Sequence, residues 1–190
     1  MERSDDEKKR SKPSKEELSV FPVAVPLGLL STLLIGYGTY WFMSTRIPRL
    51  DNAMDRLLYT FRWLTLSAFT ILVFVVRVGS IRRNTSAIDP TTGHEHYVEV
   101  PNRILRNTLE QFMIHAIGLV SLTSFISPQR MAVIPAFVTL FVIGRFMYAV
   151  GYTRRPMWRA PGFFMTFLPT VGNYIYCLYS LFLYGFAQGL

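Results

Sequence analysis

Four polar residues open a stretch, RILRNTLEQFMIHAIGLVSL, that otherwise has the composition of a membrane span: Arg103, Arg106, Asn107 and Glu110. An ionisable side chain at bilayer depth costs about 3 kcal/mol on insertion scales, so a chain that keeps one there usually has a partner or ligand for it. Their i, i+3, i+4, i+7 spacing places all four side chains on one face of a helix. We therefore expect one polar helix face here.

A second polar face follows in the next apolar stretch, VTLFVIGRFMYAVGY. Arg145, Tyr148 and Tyr152 are spaced i, i+3, i+7 and again share one side of a helix. The simplest alternative is that the arginines of both stretches snorkel to the interface while Asn107 joins helices by hydrogen bonding. Because the two polar faces match each other, we favour a shared polar pocket.

The residue types in these two faces define what such a pocket binds. Arginines clamp carboxylates or phosphates in bidentate fashion. Glu110 can receive an amine, Asn107 can both donate and accept, and a tyrosine hydroxyl can reach a further polar edge. A small anion that also carries an ammonium group satisfies all of them. Glutathione and a lipid head group both fit, and the chemistry of the residues does not choose between them.

The composition and charge of the chain indicate a membrane protein. It has 190 residues, of which 51% are hydrophobic, and the apolar residues form long runs. The formal net charge is +8, but all lysines lie in the first fifteen residues and the arginines gather at the ends of the apolar runs. That layout argues against nucleic-acid binding. Cys177 is the only cysteine, in an apolar setting typical of an inert thiol.

Five apolar runs approach the length of a membrane span, about 20 residues. They cover residues 20–44, 60–81, 104–126, 131–152 and 163–187. Residues 1–19 are mixed in charge and free of aromatic residues, which predicts a disordered cytosolic tail. The prolines at positions 22, 26 and 169 are expected near span starts, where a missing amide donor matters least.

The distribution of arginine and lysine in the loops predicts the orientation. The side that holds the N-terminal tail carries the excess of these residues, so the N-terminus is expected in the cytosol and the C-terminus in the lumen. The third span then enters from the cytosol and the fourth returns to it. Both polar faces lie at the cytosolic end, where Glu110 and Arg145 could pair.

Two other readings of the sequence are weaker. The segment His94-Glu95-His96 has no third ligand at a spacing typical of zinc, so we expect a solvated loop and no metal site. An ion or proton channel would need polar residues throughout the membrane. We expect them to gather at one end instead.

The segments RILRNTLEQ and GRFMYAVGYTRRPMWRAPG resemble the membrane-associated proteins in eicosanoid and glutathione metabolism, the MAPEG superfamily. That pattern has an arginine, an asparagine four later and a glutamate three later, matched by Arg103, Asn107 and Glu110. Arg106 completes an Arg-Asn pair seen in the prostaglandin E synthase branch. The second part is matched by Arg145, Tyr148, Tyr152 and Arg159, and Arg77 resembles the arginine that ends the first helix of the family. The resemblance covers residues 60–190.

This resemblance implies a homotrimer that binds glutathione between subunits at the cytosolic side. Arg103, Arg106, Asn107, Glu110, Arg145, Tyr148 and Tyr152 would hold the tripeptide. Arg159 or Arg77 would stabilise the thiolate, which is the nucleophilic form of the thiol. The implied activity is that of a glutathione-dependent transferase or peroxidase, in endoplasmic reticulum or Golgi and lysosomal membranes, acting on a lipophilic small molecule that arrives through the bilayer.

The fold class expected is an all-α integral membrane protein, a four-helix MAPEG-like bundle with one extra N-terminal transmembrane helix. The extra span 20–44 and the motif MTFLPTVGNYIYCLYSLF resemble the five-helix, mattrin-like branch of the superfamily. That branch implies an alternative function, a non-catalytic membrane adaptor in Golgi and lysosomal trafficking or in signalling. Gln111 departs from the leukotriene branch, which has a tyrosine there.

Overall fold

The computed structural model describes residues 15–89 and 93–185. Within these residues the chain forms five long helices, and the predicted all-α fold is confirmed. They are α1 (Lys15–Ser44), α2 (Ala53–Arg83), α3 (Glu99–Phe125), α4 (Val133–Arg154) and α5 (Ala160–Tyr184). Short 3-10 turns occupy Ser86–Ile88, Glu95–Tyr97, Pro128–Arg130 and Pro156–Arg159.

Three stretches of the described chain are long and apolar enough to cross a membrane: Pro22–Ser44, Ala53–Arg83 and Pro128–Arg154. This establishes the protein as a membrane protein by length and composition. Helix α3 falls outside the set because polar residues such as Glu110, Gln111 and His115 lower its mean hydropathy, and α5 because tyrosine, threonine and asparagine do the same. Five crossings remain a prediction.

Two helix boundaries differ from the sequence prediction for identifiable reasons. Helix α2 begins at Ala53 and not near residue 60, because the Asn52 side chain caps it by accepting a hydrogen bond from the Asp55 amide at 2.8 Å. Helix α1 begins at Lys15, so residues 15–19 are helical and the tail prediction is wrong for them. The rest of that predicted tail lies outside the described residues.

One of the three prolines is placed differently from the prediction. Pro22 begins the candidate span Pro22–Ser44 and Pro26 lies one turn later, near a span start as predicted, although helix α1 itself begins earlier. Pro169 lies well inside α5. A membrane helix tolerates an interior proline when neighbouring groups satisfy the freed backbone carbonyl. In α5, next to Pro169, the Thr170 hydroxyl donates to the Thr166 carbonyl at 2.8 Å, whereas the carbonyl that Pro169 leaves free is that of Met165.

Helix α4 is the central element, and α1 packs against α4 and α5. Small residues permit the closest approaches. A Cβ atom added at Gly162 of α5 would lie 2.3 Å from the Tyr148 amide nitrogen of α4, so only glycine fits there. At Gly28 of α1, an added Cβ would lie 3.0 Å from Pro161 Cα. These contacts fix α5 against α4 at the level of the predicted site.

Polar side chains continue through the interior of the bundle. Ser67 of α2 lies 3.3 Å from His115 Nε2, and Thr60 of α2 lies 2.8 Å from the Thr123 hydroxyl of α3. Further buried polar side chains are Thr70, Thr108, Gln111, Thr166, Thr170, Asn173 and Ser180. The expectation that polar residues gather at one end is therefore wrong. The expectation holds only for charged residues, because Arg145, near one end, is the charged residue that is buried in the described part of the bundle.

Candidate functional site

The centre of the candidate site is Arg145, whose residue surface is 0% exposed. Its Nη1 donates to Asn107 Oδ1 and its Nη2 donates to Thr166 Oγ1, each at 2.8 Å. The guanidinium carbon lies 4.6 Å from the centre of the Tyr148 ring, a cation–π distance. Arg145 therefore joins α3, α4 and α5 through neutral partners.

The approach of α4 to α5 explains how this arginine reaches Thr166. Gly144 precedes Arg145, and a Cβ at Gly144 would lie 2.8 Å from the Thr166 Cγ2 atom. On the facing helix, Gly162 stands one turn before Thr166 and packs against the backbone of Gly144 and Tyr148. The absence of side chains at both glycines brings the Thr166 hydroxyl within hydrogen-bonding distance of the guanidinium.

Two tyrosines and a second arginine extend the cluster toward the end of α4. The rings of Tyr148 and Tyr152 stack with centres 5.8 Å apart and planes inclined by 11°. The Arg159 guanidinium carbon lies 5.0 Å from the centre of the Tyr152 ring. A cavity of about 370 Å³ opens beside this group, lined by Asn107, Tyr148, Met157, Arg159, Ala160, Phe163 and Phe164. The predicted residues Asn107, Tyr148 and Arg159 thus share one cavity.

The remaining predicted residues of α3 face outward from the chain. Arg103, Arg106 and Glu110 are exposed, and Arg103 pairs with Glu99 one turn earlier at 2.6 Å. Arg103 also interacts with the Tyr152 hydroxyl, which links the outward face to the stacked tyrosines. A second cavity of about 370 Å³ is lined by Glu95, His96, Glu99, Asn102, Arg103 and Arg106.

The expected pairing of Glu110 with Arg145 does not occur. Arg145 hydrogen-bonds to Asn107 and Thr166, while Glu110 is exposed and belongs to neither ion pair of the described residues. Placing Glu110 in the interior would require removing a second charge from water. The neutral oxygens of Asn107 and Thr166 satisfy two guanidinium nitrogens without that desolvation.

Arg77 lies in a different groove from Arg159. It lines a small cavity of about 150 Å³ between α2 and α4, together with Val73, Phe74, Phe146, Ala149, Val150 and Thr153. The Arg77 side chain is exposed on the outside of the bundle. Within one chain, the two arginines predicted to stabilise a thiolate therefore line separate cavities.

Sequence reasoning missed Thr166. A threonine in an apolar helix commonly satisfies its hydroxyl on its own backbone, and Thr166 does lie 3.0 Å from the Phe163 carbonyl. The signal that points to it is the pair of glycines, Gly144 and Gly162, flanking Arg145 and Thr166 on facing helices. Such small residues mark the place where two membrane helices come closest.

The family of the protein follows from its similarity to known proteins. The MAPEG family matches residues 60–179, which include every predicted site residue. This chain belongs to the MAPEG family. Helix α1 lies outside the matched region, as expected for a helix added to a four-helix unit.

The curated relatives include two proteins named Transmembrane protein 79. The mouse protein is 26% identical over 146 residues, 77% of this chain and 37% of its own length. The bovine protein is 26% identical over 164 residues, 86% of this chain and 41% of its own length. The chain thus spans about two fifths of their length, and the resemblance to the five-helix, mattrin-like branch is confirmed.

A third relative is an uncharacterized protein of Synechocystis sp., 33% identical over 99 residues. The aligned part covers 52% of this chain and 69% of that protein. No solved structure matches the chain.

Proposed function

We propose that this protein binds glutathione at its cytosolic end and uses it as a transferase or peroxidase cosubstrate for lipophilic molecules. The observation that carries the proposal is the charge of the Arg145 cluster. Arg145 is held by neutral groups, and Arg159 belongs to neither ion pair of the described residues. Arg159 lines the cavity, and the buried Arg145 lies behind two of its walls, Asn107 and Tyr148. Two guanidinium groups to which no carboxylate is bound favour an anionic ligand.

The charged residues of the site have separate roles in this proposal. The glutathione carboxylates face the arginines, and Glu110 receives the amino group. Arg159 stands at the open side of the cavity, where its positive charge favours the thiolate form of the bound thiol. The thiolate sulfur then attacks a substrate that arrives from the bilayer. At an electrophilic carbon it forms a C–S bond as the leaving group departs or an epoxide C–O bond opens. At a peroxide it forms an S–O bond as the O–O bond breaks and an alcohol is released, and a second glutathione converts the resulting sulfenic acid to glutathione disulfide and water.

A trimer accounts for the residues that face outward. Arg103, Arg106 and Glu110 are exposed in one chain, and Arg77 lines a separate groove. We propose that a second copy brings its α2, with Arg77, against the polar face of α3. In that assembly either Arg77 of the neighbour or Arg159 stabilises the thiolate.

Calorimetry of the purified full chain with glutathione tests the binding. We expect saturable binding below millimolar concentration, reduced by Arg159→Ala and by Glu110→Gln, both of which alter exposed side chains. Arg46→Ala, an exposed arginine after α1, is the matched control and should leave binding unchanged. Absence of binding at millimolar glutathione would overturn the proposal. Conjugation of glutathione to an aromatic electrophile then tests catalysis.

A second candidate function is a non-catalytic membrane adaptor of Golgi or lysosomal membranes. The packing of α1 favours it. A Cβ atom at Gly28 would lie 3.2 Å from Phe164 Cβ, and Phe164 lines the cavity beside Arg159. Helix α1 therefore packs against Phe164, one wall of the cavity, and in this second candidate function it obstructs the lateral entry of a lipophilic substrate. Glutathione binding without conjugation or peroxide reduction would support this function over the enzymatic one.

The proposed orientation places the N-terminus in the cytosol and the C-terminus in the lumen. A glycosylation acceptor appended to each terminus in turn tests it, because only a lumenal acceptor is modified. Glycosylation of the N-terminal tag would show that the orientation is the reverse of the proposed one, with the Arg145 cluster on the lumenal side.

A further inference from the structure

We propose that the opposite end of the bundle holds a separate binding site for a long-chain fatty acid. There, residues of α1, α3, α4 and α5 line an open cavity of about 240 Å³. It lies where α3 ends and α4 begins, so the full length of α4 separates it from Tyr152. The proposal does not depend on glutathione binding.

The walls of this cavity suit a hydrocarbon chain. Leu122 of α3 and Ile126, which follows that helix, line it together with Val133 and Phe137 of α4. No carboxylate lines it. Gly172 of α5 forms part of the wall, and a Cβ atom added there would meet nothing within 4 Å. The space beside Gly172 is therefore open.

The polar residues of the cavity suit one carboxylate. Arg130, in the connection between α3 and α4, is exposed and belongs to neither ion pair of the described residues. The N-terminus of α4 follows at once and has no side-chain cap at Ala132, so its positive end adds to the same potential. Tyr40 supplies a hydroxyl from α1.

Asn173 provides a further donor, and it is almost fully buried. Its residue surface is 4% exposed, and its Oδ1 accepts a hydrogen bond from Cys177 Sγ at 3.4 Å. No hydrogen bond of the described residues uses its amide nitrogen, which leaves that donor for a ligand in the cavity. Because this nitrogen is not among the fully buried atoms that lack a partner, it keeps some accessible surface and can donate to an occupant of the cavity.

The lining favours a single-chain lipid over a phospholipid. It contains one arginine, which matches one singly charged head. Its position fits as well. Tyr40 belongs to the aromatic end of α1, Tyr40-Trp41-Phe42, and such aromatic groups mark the membrane–water interface. A fatty acid dissolved in the bilayer carries its carboxylate at that depth and can enter laterally.

The site depends on the added helix. Tyr40 comes from α1, which lies outside the region matched by the family. This chain therefore differs, in the lining of this cavity, from a chain built of the four-helix unit alone.

Binding of radiolabelled oleate to the purified full chain in detergent micelles tests the proposal. We expect saturable binding of one oleate per chain. Methyl oleate, which lacks the charge, should compete about tenfold less well or worse, because a hydrogen bond to a charged group contributes at least that much. Equal competition by methyl oleate would show nonselective partition and overturn the proposal. Tighter binding of lysophosphatidate than of oleate would also overturn the proposal, because it would indicate a phospholipid ligand.

Two variants locate the site. Gly172→Leu fills the cavity without a clash at its Cβ and should abolish saturable oleate binding. Gly79→Leu, whose Cβ also meets nothing within 4 Å but which lies on α2 outside the cavity, is the matched control. Arg130→Gln should weaken binding about tenfold. Unchanged oleate binding in both Gly172→Leu and Arg130→Gln would overturn the assignment, whatever the result with glutathione.

Discussion

The buried guanidinium of Arg145 donates to the hydroxyl of Thr166 at 2.8 Å, across the closest contact between α4 and α5. A buried charge left without partners destabilises a protein strongly, whereas one held by well-placed neutral dipoles is tolerated and keeps its field. This contact therefore stabilises the fold and preserves a positive potential beside the cavity. Substitutions at Thr166 and Gly162 test whether this contact stabilises the fold.

Thr166→Val should destabilise the protein by about 1.5–3 kcal/mol, the usual contribution of a hydrogen bond to a charged group. Thr108→Val is the matched control. The Thr108 hydroxyl is buried without a hydrogen-bond partner, so replacing it with a methyl group should be neutral or stabilising. Thermal unfolding of both variants in detergent measures the difference. Equal destabilisation would mean that the Thr166 hydroxyl contributes nothing specific to Arg145.

Gly162→Ala should lower the unfolding temperature sharply. The added Cβ would lie 2.3 Å from the Tyr148 amide nitrogen and 2.4 Å from the Gly144 carbonyl oxygen, both backbone atoms that cannot move without separating the helices. Gly172→Ala, on the same helix but in open space, should be stabilising by about 0.5–1 kcal/mol through helix propensity. A mild effect at Gly162 would contradict the close approach of α4 and α5.

An ion pair joins α2 to the loop over the predicted cytosolic end. Arg82 binds both carboxylate oxygens of Glu95, at 2.6 and 2.9 Å, whereas Arg103 contacts one oxygen of Glu99 on the exposed face of α3. A double-mutant cycle should give a coupling of up to about 1 kcal/mol for the first pair and about 0.3–0.5 kcal/mol for the second. Both should fall as salt is raised. Similar couplings in the two cycles would indicate that the bidentate contact is not maintained.

The sequence allowed the helices and the polar faces to be predicted, because hydropathy and helical spacing depend only on local residues. The depth of a side chain within the bundle could not be predicted in this way, because it depends on how the helices pack together. Glu110 and Asn107 share one predicted face, yet Asn107 reaches Arg145 and Glu110 points outward. Which residue of a polar face meets a neighbouring helix depends on the rotation of that helix about its axis. Packing around Gly144 and Gly162 sets that rotation, and Thr166 was missed for the same reason.

Asn107→Asp tests whether the unneutralised charge of Arg145 carries the proposed anion site. The substitution keeps the side-chain shape and places a carboxylate where Oδ1 accepts from Arg145 Nη1, 2.8 Å away. The resulting ion pair cancels the potential at the cavity, so glutathione affinity should fall about tenfold or more while the fold persists. Asn52→Asp is the matched control, since aspartate caps helices as well as asparagine does and adds the same charge away from the cavity. Calorimetry with glutathione measures both variants. An equal loss of glutathione affinity in the two variants would mean that the effect comes from net charge alone. Unchanged affinity in Asn107→Asp would mean that the charge of Arg145 does not contribute to the site.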